Sequence, residues 1–290
     1  MTVKSVSGST RICGVIGDPV AHTISPAMHN AAFTAIGVDY IYLPFRVSQD
    51  GLRRAIAGMR ALNIRGLNVT VPHKEAVLPL LDELDPLAEK IGAVNVIVNN
   101  EGMLKGYNTD AHGFLKSMES RGIELAGKSV VIIGAGGASR AICFALAGKV
   151  TRIMLLNRTF SRAASLARAV SATTGQVIEA GRLNRRELSQ SLLEARLLVN
   201  ATSIGMSPGN GESPVTANLL FPGLTVVDIV YNPDRTRLLL EAERAGAATV
   251  GGLGMLANQG ALAFEIWTGR RAPLDIMSEA ATRALERHED

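Results

Sequence analysis

Cysteine is nearly absent from this chain: Cys13 and Cys143, both in apolar surroundings, are the only two in 290 residues. Two cysteines in a chain this long make no disulfide framework, which points to a reducing, cytoplasmic setting. No apolar run reaches the roughly 20 residues that a membrane span needs, so no membrane partner is expected. The opening stretch from Met1 to Thr10 is polar and has no apolar h-region, so no signal peptide is expected either. Lysine and arginine are dispersed, without a long basic run, which argues against nucleic acid. Internal repeats, low-complexity tracts and metal-ligand clusters are also missing.

What remains is a chain with 47% hydrophobic and 19% charged residues, the balance of a packed globular protein. Its length allows one large domain or two ordinary ones. The net charge of +4 suits an anionic small-molecule substrate and a phosphate-bearing cofactor.

The stretch Gly66-Leu67-Asn68-Val69-Thr70-Val71-Pro72-His73-Lys74 reads first as a strand. Leu67, Val69 and Val71 alternate with Asn68 and Thr70, so the two polar side chains share a face. Pro72 cannot extend a central strand but suits the first turn of a helix, and the spacing predicts a helix from His73 to Leu81. Lys74 then falls where the helix dipole disfavours a cation. Ligands of open α/β sheets bind at such carboxyl ends of strands.

Earlier in the chain, Ser25-Pro26 opens a helix that runs to Ile36, with Ser25 as expected N-cap and Gly37 as C-terminal cap. Thr23 and Ser25 could equally offer hydroxyls to an anion held at that terminus. A strand from Val94 to Val98, a turn at Asn99–Gly102 and a return from Met103 to Tyr107 predict a hairpin. Asn95 within that strand needs partners, from backbone or from a ligand. Asp110 stands at the N-cap of a helix beginning near Ala111, where capping is its ordinary role; beside a substrate lysine it could instead serve as an acid/base partner. Gln259 shares an apolar stripe with Met255, Leu262 and Ile266, and either meets backbone or reads a ligand hydroxyl.

The pattern changes to regular strand–helix alternation after 122–128. Strand Ser129–Ile133 runs directly into Gly134-Ala135-Gly136-Gly137-Ala138-Ser139 and then helix, the setting of a dinucleotide fingerprint. Ser139 holds the third glycine position and is small enough for close helix–strand packing. The next strand ends in Asn157-Arg158-Thr159, with Arg162 one turn on. No carboxylate is present there to accept the ribose hydroxyls of NAD, whereas two guanidinium groups suit a 2′-phosphate. The cofactor read from these residues is NADP; the alternative is a solvated helix start. Another strand ends in Asn200-Ala201-Thr202-Ser203-Ile204-Gly205-Met206.

These residues resemble the shikimate dehydrogenase family over nearly the whole chain. The resemblance rests on Gly17–Pro26, Asn68–Lys74, Gly92–Asn95, Gly106–Asp110, the glycine loop, Asn157–Arg162, Asn200–Met206, Asp228-Ile229-Val230-Tyr231 and Gly252–Gln259, in that order. It implies a two-domain α/β protein. An amino-terminal α/β substrate domain over 1–110 would precede a Rossmann-type doubly wound parallel sheet over 111–252. Carboxy-terminal helices over 253–290 would pack back on the first domain. The implied reaction is reversible reduction of 3-dehydroshikimate to shikimate by NADPH, in a monomer or homodimer. Carried over by position, Lys74 and Asp110 are the catalytic pair. Thr23, Ser25, Asn68, Thr70, Asn95, Tyr231 and Gln259 line the substrate site. Gly134, Ala135, Gly136, Gly137, Ala138, Asn157, Arg158, Thr159, Arg162, Thr202, Ile229 and Gly252 hold the cofactor. Thr23 departs from the family's usual serine and adds a methyl, which leaves quinate or a related cyclic hydroxy acid as the alternative substrate. A sensor that binds NADP without turnover fits poorly with Lys74 and Asp110 together. A folate-type dehydrogenase would not need the Thr23/Ser25 pair.

Overall fold

A computed structural model of the chain describes residues 6–289, which form two α/β units. One unit holds the chain up to Thr109 together with Ala257–His288; the other is Asp110–Leu256.

The first unit alternates strand and helix: β1 (Arg11–Gly17), α1 (Ser25–Ala35), β2 (Tyr40–Arg46), α2 (Leu52–Ala61) and β3 (Gly66–Val69). Then come β4 (Glu83–Leu84), α3 (Pro86–Ile91), β5 (Val96–Asn100) and β6 (Met103–Tyr107). The strand order is β2-β1-β3-β5-β6-β4. β1 pairs in parallel with β2 and β3, whereas β5 runs antiparallel to β3 and β6, so this sheet is mixed. The hairpin expected after β5 is present, turning through Glu101 and Gly102.

Period-two patterning places Leu67 and Val69 of β3 in an apolar cluster with Ile56, Met59, Val77 and Ile97. On the other face, Gly66 lies beneath the indole of Trp267, whose Nε1 donates to the carbonyl of Ile97 at 3.1 Å. Fully buried aromatic side chains, Phe33, Tyr42, Phe264 and Trp267, fill that side.

Two local expectations are overturned here. The helix from His73 to Leu81 does not form; only a short 3-10 turn at Leu78–Leu80 appears. Its ladder is broken because the carbonyl of Lys74, which would accept the N–H of Leu78, instead accepts that of Val94 at 2.8 Å. Pro79 removes a further donor. Lys74 is therefore held by a turn, and the helix-dipole argument does not apply to it. The strand also stops at Val69, leaving Val71 exposed.

The second unit contains α4 (Asp110–Ser120), β7 (Ser129–Ile133), α5 (Gly137–Leu146), β8 (Arg152–Asn157) and α6 (Phe160–Thr174). It continues with β9 (Ile178–Arg182), α7 (Arg185–Glu194), β10 (Leu197–Asn200), β11 (Thr225–Asp228), α8 (Arg237–Arg244) and β12 (Ala248–Val250). The order β12-β11-β10-β7-β8-β9 is parallel throughout and reverses direction between β7 and β10. That is the doubly wound arrangement, with its switch point at the carboxyl ends of β7 and β10. Leu188 and Leu192 of α7 join Leu238 and Leu239 of α8 in one cluster with Val131, Ile133, Leu198 and Val226. The division falls before α4 because that helix packs against α5. Two helices complete the chain, α9 (Gly252–Thr268) and α10 (Leu274–Glu289). No helix of the described residues is long and apolar enough to cross a membrane.

Candidate functional site

In the first unit, Thr23 and Ser25 stand at the start of α1, where the Thr23 hydroxyl donates to Ser25 Oγ at 3.2 Å. Ser25 is not the N-cap that the sequence predicts. The first intrahelical bond runs from Met28 N–H to the carbonyl of Ile24, which makes Ile24 the cap and Ser25 the first helical residue. The Ser25 hydroxyl makes no side-chain cap and is instead engaged by Thr23.

Asn68, Asn95 and Gln259 are brought together as a chain of buried amides. Asn68 Nδ2 donates to the carbonyl of Asn95 at 3.2 Å, and Asn95 Nδ2 donates to Gln259 Oε1 at 3.2 Å. Thr109 closes the chain: its N–H donates to Asn95 Oδ1 at 2.7 Å and its Oγ1 accepts from Asn95 Nδ2 at 2.9 Å. Asn95 is thus a fully engaged amide lying just before β5, not inside it. Thr109 is a residue that the sequence reading passed over, although its position between Asn108 and Asp110 was a usable signal.

Lys74 and Thr70 occupy the turn after β3. Thr70 N–H donates to the carbonyl of Ile16 at 2.9 Å, and the His73 ring meets the carbonyl of Val47 at 2.7 Å. With the Lys74–Val94 bond, these contacts fix the turn from three directions, and Lys74 is half-buried. Asp110, in the second unit, is buried and is the first residue of α4 itself.

The second unit builds a phosphate cradle at its switch point. Gly134 has φ +113°, and a Cβ there would come within 2.8 Å of the carbonyl of Ala201. Only glycine serves at that turn. Gly136 caps α5 in an extended conformation, and a Cβ on it would meet nothing within 4 Å. Ala135, Gly136, Gly137 and Ala138 are half-buried and present the first turn of α5, whose N–H groups have no intrahelical acceptors. Ser139 is buried against the carboxyl end of β10, the close packing its small size allows.

At the end of β8, Asn157 Nδ2 donates to the carbonyl of Thr159 at 2.9 Å, shaping the turn that carries Arg158 and Arg162. Both arginines are exposed, and neither guanidinium pairs with a carboxylate among the described residues. An NADP-type cofactor fits this cradle: glycine backbone for the pyrophosphate and two unneutralised guanidinium groups for a 2′-phosphate.

Behind the cradle lies a network that the sequence reading did not assemble. Asp228, buried at the end of β11, accepts from Asn200 Nδ2 at 2.9 Å, Val230 N–H at 3.0 Å and the Thr236 hydroxyl at 2.7 Å. Burial pushes its carboxyl up to about 6, and the three donors from Thr236, Val230 and Asn200 oppose that rise. Asn200 Oδ1 in turn accepts the Thr202 hydroxyl at 2.7 Å. Ile229 N–H donates to the carbonyl of Asn200 at 3.1 Å, and a Cβ on Gly252 would collide with the Ile229 carbonyl. Thr202, Ile229 and Gly252 are therefore held together around Asn200, with half-buried Tyr231 following.

Three family models match successive parts of the chain. Residues 15–97 match the shikimate dehydrogenase substrate binding domain, 116–206 shikimate / quinate 5-dehydrogenase, and 252–282 the shikimate 5'-dehydrogenase C-terminal domain. The shikimate dehydrogenase (NADP(+)) of Methanopyrus kandleri is 49% identical over 284 residues, covering 97% of this chain and 98% of its own. A crystal structure of a shikimate dehydrogenase in complex with NADP+ superposes with TM-score 0.90 at 40% identity, covering 97% of this chain and 98% of that one. The Thermus thermophilus shikimate 5-dehydrogenase, in complex with NADP(H) and shikimate, gives 0.84 at 42% identity over 95% of this chain and 100% of that one. Likeness at this level spans both units, the buried amides and the phosphate cradle, and the chain belongs to the shikimate dehydrogenase family.

Proposed function

We propose that this chain catalyses the reversible, NADP-dependent reduction of 3-dehydroshikimate to shikimate, with Lys74 and Asp110 as its acid–base pair. The observation that carries the reading is the chain of buried amides Asn68, Asn95 and Gln259 in the same unit as the thrice-anchored Lys74 turn. Buried amides at strand ends suit a small acid bearing several hydroxyls, and a lysine suits a carbonyl that becomes an alcohol. Thr23 and Ser25, at the amino terminus of α1, suit the carboxylate. Thr70 and Tyr231 complete the proposed lining.

NADPH, when bound, supplies the hydride to the carbonyl carbon. As negative charge grows on the carbonyl oxygen, the Lys74 ammonium stabilises it and delivers a proton, giving the alcohol. Asp110 holds the ammonium in place and balances its charge. Gly134 to Ala138 and Thr202, Ile229 and Gly252 position the cofactor, and Asn157, Arg158, Thr159 and Arg162 read its 2′-phosphate. The free, buried thiols Cys13 and Cys143 accord with a cytoplasmic protein, and burial pushes the Cys143 thiol up to about 12. We propose a monomer or homodimer.

The extra methyl of Thr23 favours one second reading, oxidation of quinate or a related cyclic hydroxy acid. Initial rates with shikimate and quinate, each with NADP and NAD, test both. Preference for quinate overturns the first reading, and no turnover of either acid overturns both.

A further inference from the structure

Tyr42 is absent from the residues that the sequence singles out, yet it is fully buried and bonded to one of the buried amides. Its backbone is clamped by one residue of α1: Asn30 Oδ1 accepts Tyr42 N–H at 2.8 Å, and Asn30 Nδ2 donates to the Tyr42 carbonyl at 3.0 Å. Its ring stacks on the imidazole of His29, with centroids 4.4 Å apart and planes 11° from parallel. Trp267 packs 5.9 Å from the same ring and 5.3 Å from that of His29, so the three rings form one cluster. The hydroxyl of this fixed ring reaches Asn68 Oδ1 at 2.6 Å, in a fully buried position.

The chemistry of the partners dictates which way the Asn68 amide points. The carbonyl of Asn95 can only accept, so the Asn68 nitrogen faces it. Asn68 Oδ1 then faces Tyr42, whose hydroxyl donates. The Tyr42 hydroxyl already occupies one lone pair of Asn68 Oδ1 and fixes the amide's orientation, so the second hydrogen on Nδ2 is the donor that the amide offers a ligand.

We propose that Tyr42 is a positioning residue for substrate recognition: its hydroxyl locks Asn68 as a hydrogen-bond donor, so that this site selects an acceptor oxygen on the substrate ring. The inference rests on the proposed shikimate activity and adds a residue and a polarity to it. Without the Tyr42 hydroxyl, Asn68 Oδ1 is left buried and unsatisfied, and the amide is free to rotate. Binding suffers equally in the ground and transition states, so KM moves and kcat does not.

The test is a double-mutant cycle on the full chain, with Tyr42→Phe, Asn68→Ala and the double variant. Tyr42→Phe keeps the ring and its stack on His29, so folding is preserved. The KM for shikimate should rise about 5- to 50-fold. The kcat and the KM for NADP should stay within about twofold, and the double variant should be no worse than Asn68→Ala alone. An unchanged KM in Tyr42→Phe overturns the proposal, as do additive effects. Wild type that turns over neither shikimate nor quinate instead overturns the activity. The side-chain amide signals of Asn68 in nitrogen–proton NMR then decide the lock by themselves: a shift on Tyr42→Phe supports it, and no shift overturns it.

Discussion

The carbonyl of Lys74 accepts the backbone N–H of Val94 at 2.8 Å, tying the lysine turn to the residue beside Asn95. A side chain of four methylenes is ordinarily mobile, but its starting point here is fixed by the backbone bond and by the anchored Thr70 and His73 just before it. Such fixing holds a catalytic group close to its reacting geometry and lowers the entropy cost of reaching it.

Lys74→Ala should lower turnover by about 10²–10⁴-fold, the usual worth of a positioned acid or base. None of the three anchoring bonds of the turn uses the Lys74 side chain, so they survive the change and the melting temperature should hold. Steady-state rates beside a melting curve check this. A variant keeping most of its rate removes Lys74 from the mechanism.

Asp110→Asn separates charge from shape. Asp110 is buried in the first turn of α4, where a carboxylate complements the dipole, so a small loss of stability is expected. Turnover should fall far more than the melting temperature does, because Asn cannot balance the lysine charge. Nearly full activity would leave Asp110 a structural residue.

His29 gives an acid-sensitivity prediction. It is fully buried, neither ring nitrogen has a hydrogen-bond partner among the described residues, and burial pushes its imidazolium down to about 3. The unfolded chain binds this proton from about pH 6.5 downward, whereas the folded chain refuses it until about pH 3. Stability is therefore fully present above pH 6.5 and is lost as pH falls toward 3, by about 5 kcal/mol at most. His29→Phe should abolish that part of the loss. Denaturant unfolding of both proteins between pH 4 and 7 should show the wild type losing ground to the variant as pH falls; parallel curves would sink the idea.

Much of the second unit was legible because its signals are local. β7 falls at the predicted residues, since a buried parallel strand announces itself within a few positions. The glycine turn at Gly134 needed no distant partner to be recognised. Where the sequence misled, a distant contact decided the outcome. The helix after His73 was lost to Val94, some way along the chain. The Tyr42–Asn68 bond depends on β2, β1 and β3 lying side by side, an order that no local window contains. The role of Asp228 was hidden likewise: its donors come from β10 and from the cap of α8.

The last prediction concerns the cofactor. The turn at Asn157 is shaped by the bond from Asn157 Nδ2 to the carbonyl of Thr159, which leaves Arg158 and Arg162 on an exposed helix start. Arg158 precedes the extended N-cap Thr159 and Arg162 lies in the first turn of α6, so the two guanidinium groups flank the amino end of that helix, not one helical face as the sequence suggests, and a phosphate held there can draw on both. With no carboxylate among the described residues neutralising either, their charge is available to a dianion. Losing one charged hydrogen bond should weaken NADP by about 10–150-fold. NAD lacks the recognised group, so its binding should barely change. Arg158→Ala is therefore expected to raise the KM for NADP selectively and to narrow the preference for NADP over NAD. Salt should narrow it too, because exposed charges are screened within about 10 Å at 0.1 M. Equal losses with both cofactors would mean that Arg158 shapes the turn and does not read the phosphate. Wild type that already prefers NAD would refute the assignment before any variant is made.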